Sequence, residues 1–245
     1  MRLRTLVAAL ALAAAPASAQ IAVSIRAGLV DYLEGEVWIG DRRLDPQSRR
    51  FEELPLGVPL RTVHGKAEVV LGPGRILRLA PQTEIVLRDD RLEAVEIEAT
   101  RGAVYLTWTD LAGGGGAVVA VRTGPARWEA SHPGRYRWDV PTDGPPRLRV
   151  HDGKVKASAG GKTVSVKSKH EALLAEQVSV RDLDERRDSF DHWNARRSRI
   201  VARLSRAGHE RRRGPGGFGG RGGRGGRGGG IPPAWDPGFP LSYGP

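Results

Sequence analysis

The sequence predicts a mainly β protein, an antiparallel β-sandwich or a stack of β-sheets, followed by one amphipathic helix and a disordered tail. Three observations predict this architecture. From Leu29 to about Val180, apolar residues come in short runs separated by Gly, Pro and Asp pairs, which is typical of many short strands. Residues 182–207 then show a helical apolar period. Residues 208–245 contain 15 Gly, a composition that cannot bury enough apolar surface to offset its ordering entropy.

Turn residues and alternation locate individual strands in the β region. Residues 66–71 and 75–79 flank a Gly-Pro-Gly turn and predict a hairpin, because Gly adopts backbone angles that other residues avoid. Residues 84–87 and 92–98 flank a charged turn, and apolar residues alternate with Glu in the second of these runs. Such alternation puts one strand face in a core and the other in water.

The clearest hairpin signal lies near residue 150. Residues 147–150 and 154–157 flank Asp152-Gly153, a pair that suits the tight turn matching strand twist. Residues 162–167 give one more strand. Earlier, the glycines at 113–116 suggest a boundary that divides the domain 29–180 into possible halves, 29–112 and 117–180, although one loose hairpin loop fits equally.

The first 19 residues have the three parts of a secretory signal peptide. Two Arg precede the apolar run Leu6–Ala15, and Ala17-Ser18-Ala19 supplies small residues for cleavage. The run is far short of the roughly 20 residues that span a bilayer, and no later stretch is long and apolar enough. We therefore expect cleavage near Ala19 and a periplasmic or cell-surface protein without a transmembrane span.

Most of the net charge of +11 belongs to the C-terminal part of the chain. Residues 195–245 hold 11 Arg against two acidic residues, whereas residues 21–194 are balanced. Acidic envelope glycans or lipid phosphates would suit these arginines, and export argues against nucleic acid. A solvated tail with no fixed partner fits equally. The candidate polyanion contacts are Arg211, Arg212, Arg213, Arg221, Arg224 and Arg227.

The predicted helix 182–207 carries two aromatic residues on its apolar face, Phe190 and Trp193. Asp182 and Gly208 suit its start and its end. Packing of the two rings on the β domain is favoured over contact with a partner or a membrane, but both remain candidate interaction residues together with Trp38.

The sequence offers no residue set from which a reaction can be argued. The chain has no Cys, which excludes thiol chemistry and thiolate metal sites. Its six His are scattered without metal-ligand spacing, and neither a nucleophile elbow nor a phosphate loop occurs. Adjacent acids at 52–53 and 89–90 point to opposite faces if they lie on strands. We therefore expect no catalytic residue, no cofactor and no metal.

Glycines and apolar residues follow one another in a particular order over about residues 29–170: Gly35-x-Val37, Leu56-Gly57-Val58-Pro59-Leu60-x-Thr62, Gly65-x-Ala67-Glu68-x-x-Leu71, Gly74, Leu77, Leu79, Thr83, Gly102-x-Val104, Val121-x-Thr123, Gly134-x-Tyr136, Val140, Leu148-x-Val150 and Gly153-x-Val155. This order resembles the FecR-domain family. The resemblance implies an extracytoplasmic, largely β module, which in its best-known members passes a signal from an outer-membrane receptor to a sigma factor. Those members have a cytoplasmic segment before a spanning helix, whereas we expect this chain to begin with a cleavable signal peptide. They also have a Gly where this chain has Lys169 before its last strand.

Three functions remain open from the sequence. The first is a noncatalytic exported module for protein interaction or signalling at the bacterial cell envelope. The second is a polyanion-binding envelope protein that acts through its Arg-Gly-Gly tail. The third, least favoured, is a glycan-active enzyme, which would need two carboxylates facing each other across a cleft.

Overall fold

The computed structural model describes residues 26–48, 51–110, 116–175, 177–184 and 186–213, and the predicted signal peptide lies outside them. The described chain is mostly β and has one helix, α1, Ser189–Arg213. The strands are β1 Leu29–Glu34, β2 Val37–Ile39, β3 Arg42–Arg43, β4 Glu52–Glu53, β5 Pro59–Thr62, β6 Lys66–Gly72, β7 Arg75–Leu79, β8 Glu84–Asp89, β9 Ala94–Trp108, β10 Val118–Thr123, β11 Ala126–Ala130, β12 Gly134–Val140, β13 Arg147–Asp152, β14 Lys154–Ala159, β15 Lys162–Lys167, β16 His170–Leu174 and β17 Val178–Asp182.

The strands pair into two sheets that share β9. Sheet A has the order β4-β1-β6-β7-β9-β12-β13-β16-β17. Sheet B has the order β3-β2-β5-β8-β9-β10-β11-β14-β15. Among the described strands all pairings are antiparallel except β9 with β10, which is parallel. The predicted mainly β sandwich is therefore confirmed.

Strand β9 passes from sheet B to sheet A near Gly102. Its first half pairs with β8 and β10, and its second half pairs with β7 and β12. Gly102 has a φ of 86°, and a Cβ there would press on the backbone of Thr83. The Thr83 hydroxyl accepts a hydrogen bond from the Ala103 N–H at 3.0 Å, which fixes the crossing. Only Gly fits this position without strain.

One apolar core lies between the two sheets. Its members come from both of the possible halves, so residues 29–112 and 117–180 share this core. Tyr136 and Trp138 are fully buried in it. Trp128 joins them, and its indole N–H donates to the Thr123 hydroxyl at 2.7 Å.

The hairpin predicted around Asp152-Gly153 is wrong. The turn exists, and Gly153 has a φ of 90°, but β13 pairs with β12 and β16 in sheet A, while β14 pairs with β11 and β15 in sheet B. The turn therefore carries the chain from one sheet to the other. Turn residues report a change of direction, and they do not report which strand becomes the partner.

Helix α1 begins later and ends later than the sequence predicts. Asp182 ends strand β17, and the helix begins at Ser189 and continues through Gly208 to Arg213. The β sandwich and the helix up to Ile200 form one compact unit, and a second unit begins at Val201. Within the described residues no helix combines the length and apolar character that crossing a membrane would require.

Candidate interaction surface

Residues 189–200 of helix α1 pack on the outer face of sheet A. Phe190 and Trp193 are 4% and 5% exposed. The Phe190 ring meets Tyr105 of β9 edge-to-face at 6.3 Å between centroids, and the Trp193 ring lies 6.4 Å from that of Tyr32 on β1. Neither candidate ring is available to a partner in this conformation, which agrees with the preferred interpretation that they pack on the β domain.

A buried charge network fastens the middle of α1 to sheet A. Arg78 of β7 is 0% exposed and donates its Nε–H to Glu68 of β6 at 2.6 Å. Arg197 of α1 donates two hydrogen bonds to the same carboxylate, at 3.0 Å and 2.6 Å. Asn194 and Ser198 accept hydrogen bonds from Arg78 at 2.6 Å and 2.9 Å.

Electrostatics keep this network ionised. Burial acts to raise the pKa of Glu68, but hydrogen bonds from Arg197 and Arg78 and their charges outweigh it, so the pKa lies below its ordinary value. This network was not predicted from the sequence. The available signal was Arg78 between Leu77 and Leu79, a charge in an otherwise apolar strand.

The start of α1 is fixed by a capping box and an arginine. Asp188 accepts a hydrogen bond from the Asp191 N–H at 2.9 Å, and Asp191 accepts one from the Asp188 N–H at 3.1 Å. Arg137 of β12 contacts both carboxylates, at 2.7 Å and 2.9 Å. Burial would lower the pKa of Arg137, but these acids and Asp139 raise it overall.

A buried histidine lies beside this helix start. The His151 ring stacks on Tyr105 with centroids 5.6 Å apart, and no described group pairs with its buried Nε2. Burial lowers the pKa of His151 to about 4, because the charged form loses its hydration. Burial likewise raises the pKa of Tyr105 to about 12. Both side chains are therefore neutral at pH 7.

The four sheet edges differ in how open they are to a further strand. Strands β3 and β4 have two residues each, too short to template a partner. Strand β15 has lysines at both ends, and charged lysines protect an edge. Strand β17 has five residues, four of them exposed, and its described pairing is with β16 alone.

Backbone groups of β17 point away from the sheet at alternate residues. The Leu183 N–H donates to the Lys169 carbonyl at 2.9 Å, which fixes the alternation of the β16–β17 ladder. The backbone N–H and C=O groups of Ser179 and Arg181 therefore point toward β16. Val178, Val180 and Asp182 direct their N–H and C=O groups to the open side.

Side chains give this edge an apolar face and a charged face. Val180 is 38% exposed and lies opposite the fully buried Ala172, so it marks the rim of the sandwich core. Arg181 points to the outer face and donates to Glu171 at 2.5 Å. We name Val178–Asp182 the open edge. The predicted β domain ends at Val180, and no strand was predicted over the open edge, although Val and polar residues alternate there.

A charged cleft adjoins the open edge in the chain. The segment after β17 and the outer face of β13 enclose about 310 Å³. Four arginines and two aspartates line it: Arg147, Arg149, Asp184, Arg186, Arg187 and Asp188. Arg186 pairs with Asp184 at 2.8 Å, and Asp188 is held by Arg137. The cleft therefore keeps an excess of positive charge.

A second cavity of about 670 Å³ lies near the β9 crossing, and Asp139 is the carboxylate in its described lining. The adjacent acids that the sequence offered lie elsewhere: Asp89 pairs with Arg91, Asp90 with Arg26, and Glu52 with Arg42. Among the described residues no group of three His, Asp or Glu side chains could hold a metal ion.

The remaining candidate residues are placed as follows. Trp38 is half-buried on the outer face of sheet B, opposite Arg61 and Arg43, and donates its indole N–H to Glu36 at 2.9 Å. Arg211, Arg212 and Arg213 belong to the last turn of α1, while Arg221, Arg224 and Arg227 lie outside the described residues. Polyanion binding by the tail stays a prediction.

Comparisons with known proteins give a distant likeness in structure. No family model and no curated protein matches the chain. Two crystal structures of a candidate anti-sigma factor from Parabacteroides distasonis are similar, with TM-scores of 0.44 and 0.45 at 15% and 14% identity. Each match covers 51% of this chain, and 58% and 60% of those chains. The match therefore spans less than two thirds of either neighbour.

Proposed function

We propose that this protein is a noncatalytic, FecR-like module that is exported to the bacterial cell envelope. It serves protein interaction or signalling there, and it binds an extended segment of a partner protein along the open edge. One observation carries the proposal. Val178, Val180 and Asp182 hold their backbone hydrogen-bonding groups toward solvent at the rim of a well-packed sheet. Addition of a strand to such an edge is a common mode of peptide recognition.

The side chains beside the open edge define the segment that fits. On the core side, an apolar residue would cover Val180 and extend the sandwich core by one strand. On the outer side, acidic residues would meet Arg181 and the arginines of the charged cleft. The main-chain bonds would supply affinity, and these two requirements would supply specificity.

The test compares two variants of one residue in the full-length protein. Val180→Pro removes an N–H that points to solvent and leaves the ladder with β16 intact, so the fold should survive. Val180→Thr keeps the N–H and the β-branched shape, and it serves as the matched control. Each protein is crosslinked in the native envelope fraction, and crosslinked peptides are mapped by mass spectrometry.

We expect native protein and Val180→Thr to capture the same partner, with crosslinks at residues 178–182. Val180→Pro should capture at least tenfold less of this partner. Equal capture by both variants, or crosslinks that map away from the open edge, would refute binding at this edge. A melting temperature for each variant within a few degrees of native confirms that the fold is retained.

A further inference from the structure

Five of the six lysines in the chain lie on one hairpin or in the turn directly after it. Strands β14 and β15 form it, and no Asp or Glu occurs from residue 153 to residue 170. All five side chains are exposed. We name β14, β15 and these five residues the lysine hairpin: Lys154, Lys156, Lys162, Lys167 and Lys169.

Among the described residues, no acid forms an ion pair with the lysine hairpin. Lys154 and Lys167 lie directly opposite each other, and like charges in this position destabilise a sheet. On the other side of β14, Lys156 lies opposite Glu129, but that carboxylate is held by Arg127 at 3.0 Å. Among the described lysines, only Lys66 forms an ion pair.

Protection of a sheet edge accounts for part of this charge. Strand β15 is the edge of sheet B, so lysines on it prevent pairing with another chain. Strand β14 is paired on both sides, with β11 and with β15, and needs no such protection. Lys154 and Lys156 therefore call for another explanation.

The chemistry of the lysine hairpin selects one kind of partner. Elsewhere in the described fold arginines make most of the ion pairs, whereas this surface uses Lys alone, a hydrated point charge on a flexible stem. Such charges suit a diffuse anionic surface better than a shaped ligand. Residues 153–169 also contain no aromatic side chain on which bases could stack. Lys154, Lys156 and Lys167 lie on the same outer face of sheet B.

We propose that the lysine hairpin binds the phosphate headgroups of an anionic lipid surface. Each lysine close to such a surface strengthens binding about fivefold, so the three lysines of the outer face together contribute roughly a hundredfold. The attraction falls with added salt, because it acts over about one Debye length.

The test measures binding of the full-length protein to vesicles by co-sedimentation. One set of vesicles contains equal parts of phosphatidylglycerol and phosphatidylcholine, and the other contains phosphatidylcholine alone. The hairpin variant combines Lys154→Gln, Lys156→Gln and Lys167→Gln. Two control variants also lose three positive charges: Arg43→Gln, Arg88→Gln and Arg122→Gln on sheet B, and Arg221→Gln, Arg224→Gln and Arg227→Gln in the tail.

We expect the hairpin variant to lose about a hundredfold in binding to anionic vesicles, at least tenfold more than either control variant. Replacing the same three lysines by Arg should restore binding, because the charge is kept. The proposal would be overturned if the loss of binding in the hairpin variant exceeded that in either control variant by less than tenfold, since net charge or the tail would then explain binding. Equal binding to neutral vesicles would overturn it as well.

Soluble polyphosphate is compared with the anionic vesicles at equal phosphate concentration. Tighter binding of the hairpin to polyphosphate would identify a polymer as the partner and reject the lipid surface.

Discussion

Arg197 of α1 donates two hydrogen bonds to Glu68 of β6, at 3.0 Å and 2.6 Å, across 129 residues of sequence. The pair joins the helix to the outer face of sheet A. Because the same carboxylate also neutralises the fully buried Arg78, it serves the sheet and the helix at once. The helix therefore belongs to the folded unit of the sandwich at this point, and its apolar rings are not a free surface.

Removing the charge of Glu68 should be strongly destabilising. In Glu68→Gln the buried Arg78 loses its counter-ion, and breaking such a pair typically lowers the free energy of unfolding by about 3 to 5 kcal/mol. The matched control is Glu98→Gln, which breaks an exposed pair with Arg88 and should change it by less than about 1 kcal/mol. Urea unfolding measures both. Equal effects would show that the buried network does not stabilise the fold.

The capping box at the start of α1 should be sensitive to the side chain at residue 188. Asp188→Ala removes the acceptor for the Asp191 N–H and should lower the free energy of unfolding by about 1 kcal/mol or more. Asp188→Asn keeps an acceptor oxygen and should lower it less. Thermal unfolding at neutral pH compares the two variants, and an Asn variant as unstable as the Ala variant would rule out the capping role.

The buried His151 should make the fold less stable in mild acid. Its pKa is lowered to about 4 by burial, whereas the unfolded chain titrates near 6.5, so unfolding takes up a proton between these values. The titration of His151 therefore leaves the free energy of unfolding unchanged above pH 6.5. It lowers this free energy as pH drops from 6.5 to 4, by about 3 kcal/mol in all.

The variant His151→Gln removes this titration, and its unfolding free energy should change less between pH 7 and pH 4.5 than that of the native protein. The control His132→Gln, at an exposed residue, should keep the native pH dependence. If native protein and His151→Gln show parallel curves, His151 is not the source of the acid sensitivity.

The crossing of β9 should depend on Gly102. In Gly102→Ala the new Cβ would press on the Thr83 backbone at a φ of 86°, so both strain and overpacking oppose it. Gly57 has a similar φ of 77° but open space around it, so Gly57→Ala should carry only the backbone strain of about 1 kcal/mol. Denaturant midpoints distinguish the two, and a Gly57 variant as damaged as the Gly102 variant would contradict the packing argument.

Local pattern predicted where strands lie better than it predicted which strands pair. The Gly-Pro-Gly turn correctly joins β6 and β7, because both the turn and the alternation are encoded within 14 residues. Asp152-Gly153 encodes a turn equally clearly, yet β13 and β14 enter different sheets. Which sheet a strand joins depends on packing across the whole sandwich, and short windows do not carry that information.

The candidate site was less predictable for a similar reason. Burial of Phe190 and Trp193 followed from their spacing on one helix face, whereas the Glu68 network joins the β6–β7 hairpin to helix α1, across 129 residues of sequence. The open edge was not predicted, because its exposure results from the absence of a neighbour among the described strands. Absence of a partner has no signature in a linear sequence.

Amide hydrogen exchange of the purified full-length protein, resolved by residue, tests the open edge most directly. We expect the N–H groups of Val178, Val180 and Asp182 to exchange rapidly and those of Ser179 and Arg181 to be protected by their bonds to β16. Binding of the captured partner should then slow the three fast amides. Protection of all five amides in the purified protein would show that the edge is already occupied and would contradict strand addition as its function.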